Sequence, residues 1–269
     1  MTYTGYLQLE ASERYGKSVL SDAYYNGVFK ISRPTYTEKG LPLVQLIHVG
    51  GGYVDGDTYF TEINVKENAR LAVTTQASTK VYKTPNKQVI QKALYHLEKH
   101  SELHMKQDPL IAYRDARFTQ ETEVHMEKSA VFFLTDIVTP GWSKDGTLFP
   151  YTSVTSKVKV YQDGKLTVYD HLRLKPEEDV EKLLQLEGNT HIGSMFFIHS
   201  DVTQEWIENL REDLASFCDA HYGISMLQIP GFCLRILAKR TSLIEKVFAS
   251  IETFIHGTIY NKDAISWRK

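Results

Sequence analysis

Cysteine is nearly absent from this sequence. Its two cysteines, Cys218 and Cys233, are too few for a disulfide framework and lack metal-finger spacing. They read as small apolar packing residues. Charge of one sign is missing too. Lys and Arg number 31 against 33 Asp and Glu, a formal net charge of -2. That balance favours neither nucleic acid nor an anionic membrane as a partner. No apolar run approaches the ~20 residues of a membrane span, and no signal-peptide core precedes the first strand-like segment. The expectation is a soluble cytoplasmic chain. Motifs of common chemistry are also missing. The glycine run at Gly50 to Gly52 is followed by no Gly-Lys-Ser or Gly-Lys-Thr, and no GxSxG elbow occurs. His221 stands three residues after Cys218, but a packed cysteine near a helix end is the plainer reading. No linker, repeat or low-complexity tract breaks the chain, so one domain over residues 1–269 is expected.

What is present centres on residues 45–84, QLIHVGGGYVDGDTYFTEINVKENARLAVTTQASTKVYKT. An apolar run, Leu46 to Val49, meets Gly50, Gly51 and Gly52, and then Asp55, Gly56 and Asp57. Residues Tyr59 to Val65 alternate as a strand, and Leu71 to Thr75 are again extended. Glycine reaches positive φ without a Cβ clash, so this reads as a sharp corner between strands. The two Asp side chains fit turn capping, and a hard-cation loop lacks its downstream Glu.

The rest of the chain supports a mainly β architecture. Residues 3–10 and 27–31 read as strands, and 151–161 with 166–169 as a hairpin about Asp163-Gly164. Residues 87–106 have helical composition, yet they alternate, and strands are expected there. His96, His100 and His104 would chelate on a helix but would stand about 13 Å apart on one strand. After Pro176 the composition shifts. A short helix is expected over 177–186, a strand over 191–199, a helix over 203–221, a hairpin over 224–238 and a last helix over 242–260.

The segment QLIHVGGGYVDGD followed by LAVTTQASTKVYKT resembles the signature of the UreD (UreH) family of urease accessory proteins. TGYLQLE, ISRP, DPLIAYRDARFTQ and DIVTPGWSKDGTLF extend the resemblance over nearly the whole chain. One departure lies at Gly141 to Phe149, where many members carry an arginine and a glutamate that this chain lacks.

The resemblance implies a stacked, β-helix-like array of strands with two long helices in the C-terminal third. It implies a non-enzymatic scaffold with no tightly bound cofactor. Its partners would be UreF, the GTPase UreG and the urease apoprotein, in a higher-order complex, with nickel(2+) carried transiently. On that reading Asp57 and Asp136 wet an internal route for the ion. Gly50, Gly51, Gly52, Gly56, Thr75, Gln76, Lys80, Tyr82, Asp115 and Arg117 carry the motif. The C-terminal helices stand at or beside the UreF-facing surface. From the residues alone, the polar run Thr74 to Lys80 either lines a hydrated interior or pairs strands. The competing reading is a stand-alone metal-dependent hydrolase, or a nickel store, built on His96, His100 and His104.

Overall fold

The computed structural model describes residues 3–36, 40–178, 186–217 and 219–267. Two sheets face each other. In the first, Gly5–Arg14, Thr58–Val65, Val89–Leu97, Arg117–Met126 and Ser153–Gln162 lie side by side, all parallel. In the second, Pro42–His48, Arg70–Thr75, Glu102–Lys106 and Val131–Val138 form a matching parallel run. The chain passes from one sheet to the other at every step, so it winds as a β-solenoid. Side-chain bonds between successive coils join residues mostly 31 to 33 apart, such as Tyr82 to Gly51 and Arg117 to Thr84. This structural repeat has no sequence counterpart, because each coil shares backbone position and inward polarity but no motif.

Strict alternation builds the core. Thr58–Val65 and Arg117–Met126 bury every second residue, and those inward faces meet the second sheet in one apolar cluster. Antiparallel hairpins close both ends of the first sheet: Lys17–Gly27 on Gly5–Arg14, and Lys165–Leu174 on Ser153–Gln162. The second hairpin turns at Asp163 and Gly164, both at positive φ.

Residues 87–106 are indeed extended, but not as one strand. A turn over 98–101 splits them, sending Val89–Leu97 to one sheet and Glu102–Lys106 to the other. Helical composition yields here to pairing with strands on both sides.

The C-terminal part extends the second sheet. His191–Ile198 pairs antiparallel with Val131–Val138, then with Gly231–Ala238, and His221–Met226 forms the edge. Helices α1 (Gln204–Asp213) and α2 (Thr241–Thr258) cover this extension. Ile207, Leu210, Ile244, Val247, Phe248 and Ile251 pack there against Phe133, Phe197 and Leu234. α1 is shorter than the helix expected over 203–221. Leu214–Ser216 is a 3-10 turn, and His221 already belongs to the hairpin. Sheet pairing claims the residues whose apolar spacing suggested more helix. Of the short helix expected over 177–186, Pro176–Glu178 is a 3-10 turn, and 179–185 lie outside the described residues. Cys218 lies outside them as well. Cys233 is half-buried, and burial pushes its thiol up to about 11, consistent with a packing role. Among the described residues no helix is long and apolar enough to cross a membrane.

Candidate functional site

The glycine corner joins Pro42–His48 to Thr58–Val65. Gly50, Gly52 and Gly56 have positive φ, and Gly51 does not. Gly52 is the tight one. A Cβ there would meet Lys80 O at 2.7 Å and Tyr82 Cε2 at 2.9 Å. The next coil therefore crosses directly over this glycine, and Tyr53 N donates to the same Lys80 carbonyl at 2.8 Å. Gly51 has room, with only Tyr82 Oη at 3.6 Å from such a Cβ.

Asp57 closes the corner. Its Oδ2 accepts from Val54 N at 2.8 Å and from Tyr59 Oη at 2.7 Å, and its Oδ1 accepts from Thr4 Oγ1 at 3.1 Å. Asp57 thus caps the turn and also faces inward through Tyr59. The other contact of that phenol is His48 Nε2 at 3.4 Å. Since the Tyr59 proton goes to Asp57, His48 must donate from Nε2 in this pair. Burial lowers the His48 pKa, opposed by a Gly50 backbone bond and the Asp57 charge. His48 was missed in the sequence because it sits inside an apolar run and looks like a strand filler.

Behind the corner lies a cavity of about 230 Å³, lined in part by His48, Tyr53, Thr75, Gln76, Lys80 and Gln91. The polar run after Thr74 therefore forms part of its wall. The most telling feature leads away from it. Tyr59, Gln91, Gln120 and Ser156 are register partners on four successive strands of the first sheet. They make one inward polar row along the solenoid axis, roughly 14 Å long at about 4.8 Å per strand. Tyr53 Oη donates to Gln91 Oε1 at 3.0 Å. Gln120 Nε2 donates to Asp136 Oδ2 at 2.6 Å and contacts Ser156 Oγ at 2.9 Å. The row thus begins beside Asp57 and ends at Asp136.

Asp136 is buried on the second sheet. Burial raises its pKa, while the Gln120 bond, the Arg235 charge and Ser156 pull the other way. Its register neighbour is Ser194, and the neighbour of Ser194 is Arg235. Arg235 donates to Ser194 and, at 2.7 Å, to Asp170 on the first sheet. The far end of the row is therefore bridged by a charged strut between the sheets.

The remaining motif residues serve coil corners. Thr75 Oγ1 bonds Asp108 Oδ2 at 2.9 Å, and Gln76 N donates to Leu46 O at 2.9 Å. Tyr82 Oη donates to Gly51 O at 2.9 Å. Asp115, at positive φ, pairs with Lys83 at 2.7 Å, and Arg117 donates to the carbonyl of Thr84. The three histidines do not meet. His96 is on the outer face of the first sheet, His100 is in an exposed turn, and His104 is buried beside Glu102. The split of residues 87–106 separates them. Among the described residues no three His, Cys, Asp or Glu side chains are grouped as a preformed metal cage.

Fold and site together define a β-solenoid protein with a polar interior row and a helix-covered end. A family model described as UreD urease accessory protein matches residues 3–268. A urease accessory protein UreD from Bacillus sp. (strain TB-90) is 47% identical over 270 residues, covering 100% of both chains. Relatives of the same description from Staphylococcus epidermidis and Staphylococcus aureus are 35% and 36% identical over 272 residues, covering 99% of this chain and 98% of each relative. The chain belongs to the UreD family of urease accessory proteins.

Proposed function

We propose that this chain is a non-enzymatic scaffold that passes nickel(2+) through its interior to the urease apoprotein, working in the cytoplasm with UreF and the GTPase UreG. One observation supports this above the others: the register-aligned row Tyr59, Gln91, Gln120 and Ser156, with Asp57 bonded at one end and Asp136 at the other. Its donors are amide, hydroxyl and phenol oxygens, with a carboxylate at each end. Such neutral oxygens hold a divalent ion loosely enough to let it leave, whereas an imidazole cage would retain it. No bond is made or broken in this task, so no nucleophile is required. The exposed sides of α1 and α2 serve as the surface facing UreF or adjoining it.

The test is co-expression with urease and the other accessory genes. Asp57→Asn and Asp136→Asn should leave the complex with UreF and UreG intact while lowering the nickel content and activity of urease, the double variant more than either alone. Full nickel occupancy in the double variant would overturn the route. Loss of the complex would instead assign these charges to assembly. The hydrolase reading has lost its premise, because its three histidines do not share a site.

A further inference from the structure

The outward face of the first sheet carries its own histidine pair, formed across coils rather than along a strand. His96 and His125 are register partners on Val89–Leu97 and Arg117–Met126, with ring centroids 5.4 Å apart. Asn64 and Tyr161 flank them in the same register, and Tyr161 stacks on His125 at 4.8 Å. Glu123 Oε1 lies 2.7 Å from His125 Nε2. From these contacts we infer that His96 and His125 form a two-nitrogen clip for an imidazole-preferring divalent ion such as Ni²⁺, Cu²⁺ or Zn²⁺, on the outside of the solenoid.

Two physical points carry this. Neighbouring strands lie about 4.8 Å apart, so matched side chains can converge by rotamer changes. Two imidazole nitrogens on one ion each need only about 2.0–2.1 Å to the metal. Second, a carboxylate on one ring N–H of a histidine fixes the tautomer and leaves the other nitrogen's lone pair free, the arrangement that supports ligating imidazoles. Glu123 gives His125 that arrangement through Nε2–H and leaves Nδ1 as the ligand atom. Water would complete the coordination, which makes the ion weakly held and exchangeable. The clip is on the opposite side of the sheet from the polar row, so this inference does not depend on the interior route.

The experiment is equilibrium dialysis of the full chain, free of any polyhistidine tag, against nickel chloride and zinc chloride near neutral pH. The His96→Ala, His125→Ala double variant should bind one ion fewer per chain than the parent. His125→Phe keeps a stacking ring but no nitrogen and should lose the same ion. His100→Ala should keep it. The same difference should appear in an Asp57→Asn, Asp136→Asn background, which separates the clip from the interior route. Unchanged stoichiometry in the double histidine variant, or an ion retained by His125→Phe, would overturn the clip and leave the ring stack as packing alone.

Discussion

At the scale of single residues, Asp57 and Gly52 show how much of the corner depends on a neighbouring coil. Asp57 accepts three hydrogen bonds. Asparagine keeps one acceptor oxygen and can donate to Thr4 Oγ1, so Asp57→Asn should stay folded and lose on the order of 1 kcal/mol. Asp57→Ala orphans all three donors and should lose two to three times as much in a denaturant melt. Equal losses for the two variants would show that the carboxylate does no capping. Gly52→Ala places a Cβ against Lys80 O at a φ that side chains rarely adopt. It should cost about 1–3 kcal/mol in backbone strain plus the clash, and soluble yield should fall. Gly51→Ala should be near neutral. The glycine triplet was plain in the sequence, but which glycine is indispensable was not, because that depends on where the next coil crosses.

Glu102 gives a pH prediction at the same scale. Burial raises its pKa, but the His104 bond, the His104 charge and Arg70 outweigh burial and hold it at about 2, against 4.5 ordinarily. A depressed carboxylate stabilises the fold fully above the unfolded pKa. That contribution fades as pH falls from about 4.5 through about 2. Acid unfolding should therefore be steep in this window for the parent chain and shallower for Glu102→Gln. Identical acid limbs would show that the pairing contributes nothing.

At the scale of elements, α2 is the clearest case. Ile244, Val247, Phe248, Ile251 and Ile255 are all buried beneath it. At about 1.5–3 kcal/mol each, their burial amounts to roughly 8–15 kcal/mol, comparable to the stability of a whole domain. A chain ending before Thr241 should therefore be insoluble or molten, and loss of UreF binding by it would carry no information about docking. Exposed positions such as Glu245 and Lys246 test the surface properly. Fluorescence and near-ultraviolet dichroism check the first expectation; a cooperative melt from the truncated chain would contradict it. α2 was legible from its apolar spacing. The end of α1 was not, because the hairpin that claims His221 pairs with residues beyond Pro230. Similarly, alternation announced extended structure over 87–106, but only the second sheet and the helix covering it decide that His104 is buried against Phe133, His256 and Tyr260 while His96 lies on the outer face of the first sheet.

At the scale of the whole molecule, the mainly β class was legible because alternation and turn residues repeat through residue 170, while the stacking of the strands was expected only from the family resemblance. The coil repeat was not, since what recurs is an inward polar position and no shared residue type. Gln91 and Gln120 look like ordinary strand polars until register places them beside each other. Gln120→Leu fills the row with an apolar side chain and strips Asp136 of its 2.6 Å donor. On the proposed route, urease matured with this variant should contain less nickel even where the complex still co-purifies; metal analysis of the purified urease decides it.

Antiparallel hairpins at both ends of the first sheet have a consequence for how such a molecule can change over evolutionary time. With each end sealed by a strand running the other way, another coil cannot simply be appended. Growth has to occur in the middle, by inserting a complete turn of the winding, about as long as the 31 to 33 residues that separate bonded corners. The span of the interior row is therefore quantised. It lengthens or shortens by one rung of about 4.8 Å at a time. Point mutation can block a rung or alter its polarity, while the distance between the two terminal carboxylates is set by the number of coils between the seals.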